Sequence, residues 1–206
     1  MHAVQSERLM DLRTVCLERR RDQVATLASI LGEVEAEQLS GAEGLLADLG
    51  KVEACDDKQA LLRSEHQFEL DTPRVRELRD ALSRAELLRL GGRYDRAKAE
   101  ADAALAKARE ADETVLIAEA HVQLGRLADA RGKLEEAREH LDEAILAALE
   151  ARQLGVAGIA WSDLVGIVGF ELGEPEQARR YADRALAAFA ASDGDHEAGI
   201  GRVHNG

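Results

Sequence analysis

The sequence predicts an all-α protein built from pairs of amphipathic helices. Its 206 residues contain only two prolines and 3% aromatic residues, a composition that favours helix. Residues 118–152 read AEAHVQLGRLADARGKLEEAREHLDEAILAALEAR, in which small and apolar residues recur at steps of three and four on both sides of Gly132. Each half therefore carries an apolar stripe, and the stretch predicts two helices that pack against each other.

The hairpin at residues 118–152 contains residues suited to a close crossing of its two helices. Gly125 in the first helix and Ala137 in the second have little or no side chain, which lets the two backbones approach. Gly132 supplies the positive φ that a short helix-to-helix turn often needs. We therefore expect an antiparallel hairpin that turns at Gly132.

Ahead of this hairpin, the sequence predicts an N-terminal helical subdomain over residues 1–72. A long amphipathic helix is expected over 5–34, a shorter one over 39–49 and a third over 58–65. Thr72 and Pro73 are typical of a helix N-cap followed by proline in the first turn. We therefore place a boundary between 72 and 73 and expect the N-terminal part to cap the helices that follow.

The two cysteines, Cys16 and Cys55, lack the spacing and the neighbouring histidines of a metal site. Two buried free thiols are the favoured interpretation, and a disulfide between them stays open, because sequence alone does not give their separation in space.

Residues 73–192 contain an internal repeat. The hinge glycines Gly92, Gly132 and Gly173 lie 40 and 41 residues apart. Small residues recur in register with these hinges, seven before, five after and twelve after, at Ala85, Gly125 and Gly166, at Ala97, Ala137 and Ala178, and at Ala104, Ala144 and Ala185. This register predicts three hairpins, at about 74–113, 114–154 and 155–192, stacked so that each buries its neighbour's stripe.

The central repeat resembles the tetratricopeptide repeat. The resemblance rests on Leu124 and Gly125, Gly132, Ala137, and the pair Leu141 and Ala144, and it extends over about 74–192 with a period of about 41 residues instead of the usual 34. In the first repeat Ala85 replaces the first-helix glycine. In the third, Trp161 stands one place before the usual aromatic position, which Ser162 occupies. The resemblance implies a right-handed superhelix.

A second resemblance concerns the N-terminus. The string QSERLMDLRTVCLERRRDQVATLASIL is similar to the segment that precedes the tetratricopeptide array in large myxobacterial-type serine/threonine protein kinases. That family places a kinase domain first, commonly a membrane span next and the repeats last. The resemblance implies a fragment of a regulatory region, in which the cysteine matching Cys16 has its companion upstream. Kinase motifs are absent from the sequence itself.

The last residues, 193–206, are similar to the opening of a further repeat that is cut short. Because a repeat helix without its partner cannot bury its stripe, we expect either a loosely docked helix or disorder there.

The tetratricopeptide resemblance implies that the first helix of each hairpin lines a concave face that binds peptides. Carried over residue by residue, the candidate positions are Arg79, Glu86, Arg89, Glu119, Arg126, Asp129, Asp163, Ile167 and Phe170. Three of these are arginines, which suit an acidic or phosphorylated segment, while Ile167 and Phe170 suit an apolar anchor. The alternative is that all nine are ordinary solvated helix positions.

No catalytic residue, metal ligand set or cofactor site is predicted. The six histidines are scattered, His121 and His140 fall on different helices, and His121 stands where the repeat usually packs an aromatic ring. Adjacent carboxylates such as Glu135 and Glu136 are common on helices of this composition, and nothing in the sequence places them in an apolar pocket.

Charge and hydropathy narrow the class of partner. The formal net charge of −13 argues against binding to nucleic acid or to an anionic membrane surface. We expect no apolar run near the roughly 18 residues that span a bilayer, and no signal peptide. The chain alone would be cytoplasmic, whereas attachment to a membrane-spanning kinase would place it on the extracytoplasmic side.

The function that follows is a non-catalytic protein–protein interaction or scaffold module in the regulatory region of a serine/threonine kinase. Its partner is then a protein or peptide. The alternative is a free-standing repeat protein that self-associates through apolar stripes on its N-terminal helix or its last repeat.

Overall fold

The fold is all-α in the computed structural model, which describes residues 7–32, 52–63, 72–192 and 196–205. About 88% of these residues are helical and none of them lies in a strand. The predicted all-α class is therefore confirmed.

The chain divides into two compact units, Met1–Asp80 and Ala81–Gly206. The first unit contains α1 (Glu7–Gly32), a short 3₁₀ turn (Val52–Cys55) and α2 (Lys58–Arg63). Helix α3 (Pro73–Leu90) begins in the first unit and ends in the second. The remaining helices belong to the second unit and are α4 (Tyr94–Glu110), α5 (Thr114–Ala130), α6 (Leu134–Glu150), α7 (Leu154–Gly166, continued by a π-helical turn at Ile167–Glu171), α8 (Pro175–Ala191) and α9 (Glu197–Asn205).

In the first unit, a disulfide between Cys16 and Cys55 joins α1 to the 3₁₀ turn. The favoured interpretation of two free thiols is therefore wrong. Both cysteines are buried beside Leu9, Leu12 and Leu61. The predicted long helix is confirmed over 7–32 and the third over 58–63, while the helix predicted at 39–49 lies outside the described residues.

Helix α3 begins as its first two residues predict. Pro73 is its first residue, and the Thr72 hydroxyl accepts a hydrogen bond from the Val75 amide at 3.2 Å. The side chain thus satisfies an amide that the first turn of a helix leaves unpaired.

The turns between the long helices repeat with the same geometry. Gly92, Gly132 and Gly173 have φ of 70°, 70° and 71°, so all three hinge glycines are in the left-handed region. Asp112 and Arg152 take the same role between α4 and α5 and between α6 and α7, each with φ of 56°. Helices α4 to α7 consequently begin 20 residues apart, at residues 94, 114, 134 and 154.

Helix α8 begins 21 residues after α7 because α7 widens at its end. In the π-helical turn Ile167–Glu171, the Leu172 amide donates to the Ile167 carbonyl at 3.0 Å, five residues back. A π turn accommodates one more residue than an α turn. This extra residue accounts for Gly173 lying 41 rather than 40 residues after Gly132.

Helices α5 and α6 cross closely at Gly125. A Cβ atom on Gly125 would lie 2.7 Å from Leu141 Cγ and 3.3 Å from the Ala137 carbonyl oxygen. Ala137 is fully buried at this crossing. The close approach predicted for these small residues is confirmed.

Helix α7 is the most apolar helix, and it lies between α6, α8 and α9. By length and composition Leu154–Glu171 is apolar enough to cross a membrane, with a mean hydropathy of 1.4. The expectation that no run of this length exists is therefore wrong. Ala157, Ala160 and Leu164 on this helix are fully buried by its neighbours, which is where a core helix takes its apolar character.

Helix α9 docks firmly in the second unit, so the loose helix or disorder expected after residue 193 is wrong for residues 196–205. The Phe189 ring lies between Gly158 and Gly199, where a Cβ atom would come within 2.6 Å and 2.5 Å of ring carbons. Val203 is buried and the His196 ring stacks on Phe189 with centroids 4.8 Å apart. The two glycines allow α9 to approach because a flat ring fills the space that side chains would need.

Candidate functional site: a charged face on the first helices

Five charged residues form a continuous row across α3, α5, α7 and α9, which we call the ion-pair ladder. Its members, in spatial order, are Arg89, Glu86, Arg126, Asp163 and Arg202. Positive and negative groups alternate along the row, so each carboxylate has an arginine on both sides.

The first rung lies within α3. Arg89 donates from Nε to Glu86 Oε2 at 3.0 Å and from Nη2 to Oε1 at 2.8 Å, a two-point pairing of guanidinium and carboxylate. Arg126 on α5 approaches from the other side, with Nη1 4.0 Å from Glu86 Oε1.

The central rung joins α5 to α7. Arg126 Nε donates to Asp163 Oδ2 at 2.6 Å, and the Asp163 side chain is only 8% exposed. Arg202 on α9 then places its Nε 3.0 Å from Asp163 Oδ1. Asp163 is therefore a buried carboxylate shared by two arginines from two helices.

The electrostatics of the ladder favour its ionised form. Burial opposes ionisation of Glu86, but the Arg89 hydrogen bonds and the charges of Arg126, Arg89 and Arg202 outweigh it and hold the pKa of Glu86 below its usual value. The arginines expected to recognise an acidic ligand are thus already paired with this chain's own carboxylates.

Two carboxylates near the ladder lack such partners. Neither Asp129 nor Glu171 makes an ion pair within the part of the chain that the structure describes. Burial raises the pKa of Asp129, and the negative charges of Asp163 and Glu171 add to the effect. The open charge of this face is therefore acidic.

The predicted apolar anchor is half correct. Phe170 is 68% exposed, the highest value among the large apolar side chains of the described residues. Ile167 is only 4% exposed and packs in the core, so its assignment to a ligand-facing position is wrong. The π turn changes the register of α7 from residue 167 onward, and a position-by-position transfer from α5 fails there.

The other two candidate residues lie apart from the ladder. Glu119 is half-buried on α5, and Arg79 belongs to the first unit. Sequence spacing gave no sign of the Arg126–Asp163 pair, since its partners are 37 residues apart and meet only through helix stacking.

His121 and His140 are brought into contact, with their Nδ1 atoms 3.1 Å apart. In the described ranges no group of three or more His, Cys, Asp or Glu side chains is arranged to hold a metal ion.

The second unit therefore belongs to the class of stacked all-α helical proteins with a charged face on alternate helices. No protein-family model, curated protein or solved structure matches the chain. The resemblances to tetratricopeptide repeats and to kinase regulatory regions consequently stay predictions that rest on the residues themselves.

Proposed function

We propose that the second unit is a non-catalytic protein-interaction scaffold, built as a tetratricopeptide-like superhelix with a repeat of about 40 residues. The observation that carries this proposal is the ion-pair ladder, which joins the first helices of successive hairpins along one face. A face of this kind offers an extended ligand equivalent positions on each helix.

The partner that suits this face is a protein segment with basic and apolar side chains. An acidic segment would have to displace Asp163 or Glu86 from their arginines, whereas Asp129 and Glu171 are open to a cation. Phe170 follows directly in the chain before Glu171 and presents an exposed ring that can receive an apolar side chain or the cation itself.

A peptide array read by the purified chain tests this ligand class. Basic peptides with an aromatic or aliphatic residue should bind, more weakly at higher salt, and Phe170→Ala should weaken binding about tenfold or more. The matched control is Leu146→Ala on α6, which removes a side chain that is 63% exposed. Equal effects of the two substitutions, or a preference for acidic peptides, would exclude the proposed face.

We also propose that the chain is part of the regulatory region of a serine/threonine kinase, as its N-terminal resemblance implies. A kinase domain encoded upstream in the same reading frame is the observation that tests this proposal. The Cys16–Cys55 disulfide favours the extracytoplasmic over the cytoplasmic placement, because disulfides persist mainly in oxidising compartments. Thiol labelling of the denatured, unreduced protein from cell fractions would distinguish the two.

Self-association is the second candidate function, and an exposed stripe on α1 favours it. Met10, Leu17 and Val24 are exposed and spaced by seven residues, so they lie along one line of the helix. Light scattering over a range of concentrations should then show a dimer that Leu17→Glu dissociates. A monomer at all concentrations would remove this candidate.

A further inference from the structure

Three side chains from three consecutive helices meet near the middle of the second unit. Arg109 on α4 places Nη2 3.2 Å from His121 Nε2, and His121 on α5 places Nδ1 3.1 Å from His140 Nδ1 on α6. The two imidazole centroids are 5.3 Å apart, and His121 is only 5% exposed. Both ring nitrogens of His121 are therefore engaged by protein atoms.

The chemistry of arginine gives this chain of hydrogen bonds a direction. A guanidinium can only donate, so His121 Nε2 must be an unprotonated acceptor, and the proton of neutral His121 is on Nδ1. That proton is donated to His140 Nδ1, which must also be unprotonated. The proton of His140 is then on Nε2.

We propose that Arg109, His121 and His140 form an acid-sensitive pin, in which both imidazoles must be neutral for α4, α5 and α6 to be held together. A further proton on His121 enters at Nε2 and faces the Arg109 donor. A further proton on His140 sets two N–H groups against each other at Nδ1, unless His121 moves its own proton to Nε2 and faces Arg109. Every placement of the extra proton therefore breaks one of the two hydrogen bonds.

The surroundings of the pin act in the same direction. Burial lowers the pKa of His121 to about 4, with His140 and Arg109 contributing. Burial and Lys98 on α4 lower the pKa of His140, and this reduction exceeds the opposing effect of the nearby carboxylates Glu136, Asp102 and Glu139. Two of these charges already have partners, since Lys98 bonds Asp102 and Lys133 bonds Glu136, each at 2.7 Å.

The sign of the pH dependence follows from the lowered pKa. The unfolded chain takes up the proton near the ordinary histidine pKa of about 6.5, while folded His121 resists it until about pH 4. The contribution of the pin to stability is therefore complete above about pH 6.5 and is lost progressively as the pH falls toward 4.

Nuclear magnetic resonance of the imidazole nitrogens in the intact chain tests the pin directly. His121 should be in the Nδ1–H form and His140 in the Nε2–H form at neutral pH, and His121 should titrate near pH 4. The exposed His204 serves as the internal reference. His121 in the Nε2–H form, or titrating together with His204, would overturn the proposal.

Thermal unfolding of variants adds a readout of the mechanical role. Between about pH 7.5 and pH 5 the melting temperature of the wild type should fall further than that of His121→Phe, which fills the same space but cannot titrate. His204→Gln is the matched control and should follow the wild type. Equal decreases in the wild type and His121→Phe would contradict the pin, and the resonance experiment decides even if that variant does not fold.

Discussion

At the scale of single residues, two glycines that the sequence aligns have different environments. Gly125 lies at the crossing of α5 and α6, where Leu141 and Ala137 leave no room for a side chain. Gly166 on α7 stands in the equivalent sequence position, yet a Cβ atom there would meet nothing within 4 Å. In the third hairpin the close approach has moved to Gly169, whose Cβ would lie 3.0 Å from Ala178 Cβ.

The same substitution at these two glycines should therefore have opposite effects. We expect Gly125→Ala to destabilise the protein by roughly 1–3 kcal/mol, because the new methyl group overlaps Leu141. Gly166→Ala should stabilise it by up to about 1 kcal/mol, because alanine favours helix and no clash arises. Chemical denaturation of the two variants measures both values. A destabilisation by Gly166→Ala as large as that of Gly125→Ala would contradict the described register.

At the scale of helices, the ion-pair ladder differs from the surface ion pairs elsewhere in the second unit. Asp163 is buried and shared by arginines on two other helices, whereas Lys98 and Asp102 are a half-exposed pair within α4. Removing a buried partner leaves uncompensated charge, while an exposed pair is largely replaced by water. The ladder therefore couples α5, α7 and α9.

A matched pair of substitutions measures this coupling. Asp163→Asn should cost roughly 2–4 kcal/mol of unfolding free energy, because Arg126 and Arg202 lose their shared carboxylate. Asp102→Asn should cost less than about 0.5 kcal/mol. Denaturation at two salt concentrations provides the measurement. Similar small losses for both variants would show that the ladder contributes little to stability.

At the scale of the whole molecule, the two units are stabilised by different means. The second unit has a continuous core that runs through α5, α6, α7 and α8. The described part of the first unit has a small buried cluster around the disulfide, and Arg13 on α1 adds a hydrogen bond to the Cys55 carbonyl at 3.2 Å. The cross-link joins residues 39 apart in sequence.

Loss of the disulfide should therefore affect the first unit most. Closing a loop of this length removes chain entropy from the unfolded state and contributes roughly 3–5 kcal/mol. We expect reduction, or Cys16→Ala with Cys55→Ala, to lower the hydrogen-exchange protection of α1 and to leave α6 unchanged. Equal loss of protection in both helices would mean that the two units unfold together.

The sequence by itself determined the all-α class, the N-cap at Thr72, the hinge glycines and the small residues at the α5–α6 crossing. These features depend on backbone preference and on periodicity, which act over a few residues and are visible in one chain. It also predicted Phe170 as exposed, although its partner residue Ile167 is buried.

Only the tertiary structure decided which distant groups meet. The Cys16–Cys55 bond, the Arg126–Asp163 pair and the contact of His121 with His140 each join residues on separate helices, at distances set by how those helices stack. The π turn at Ile167–Glu171 also exchanged an expected surface position for a core one. Helical periodicity fixes which face a residue occupies, but the neighbour on that face comes from the packing of the whole unit.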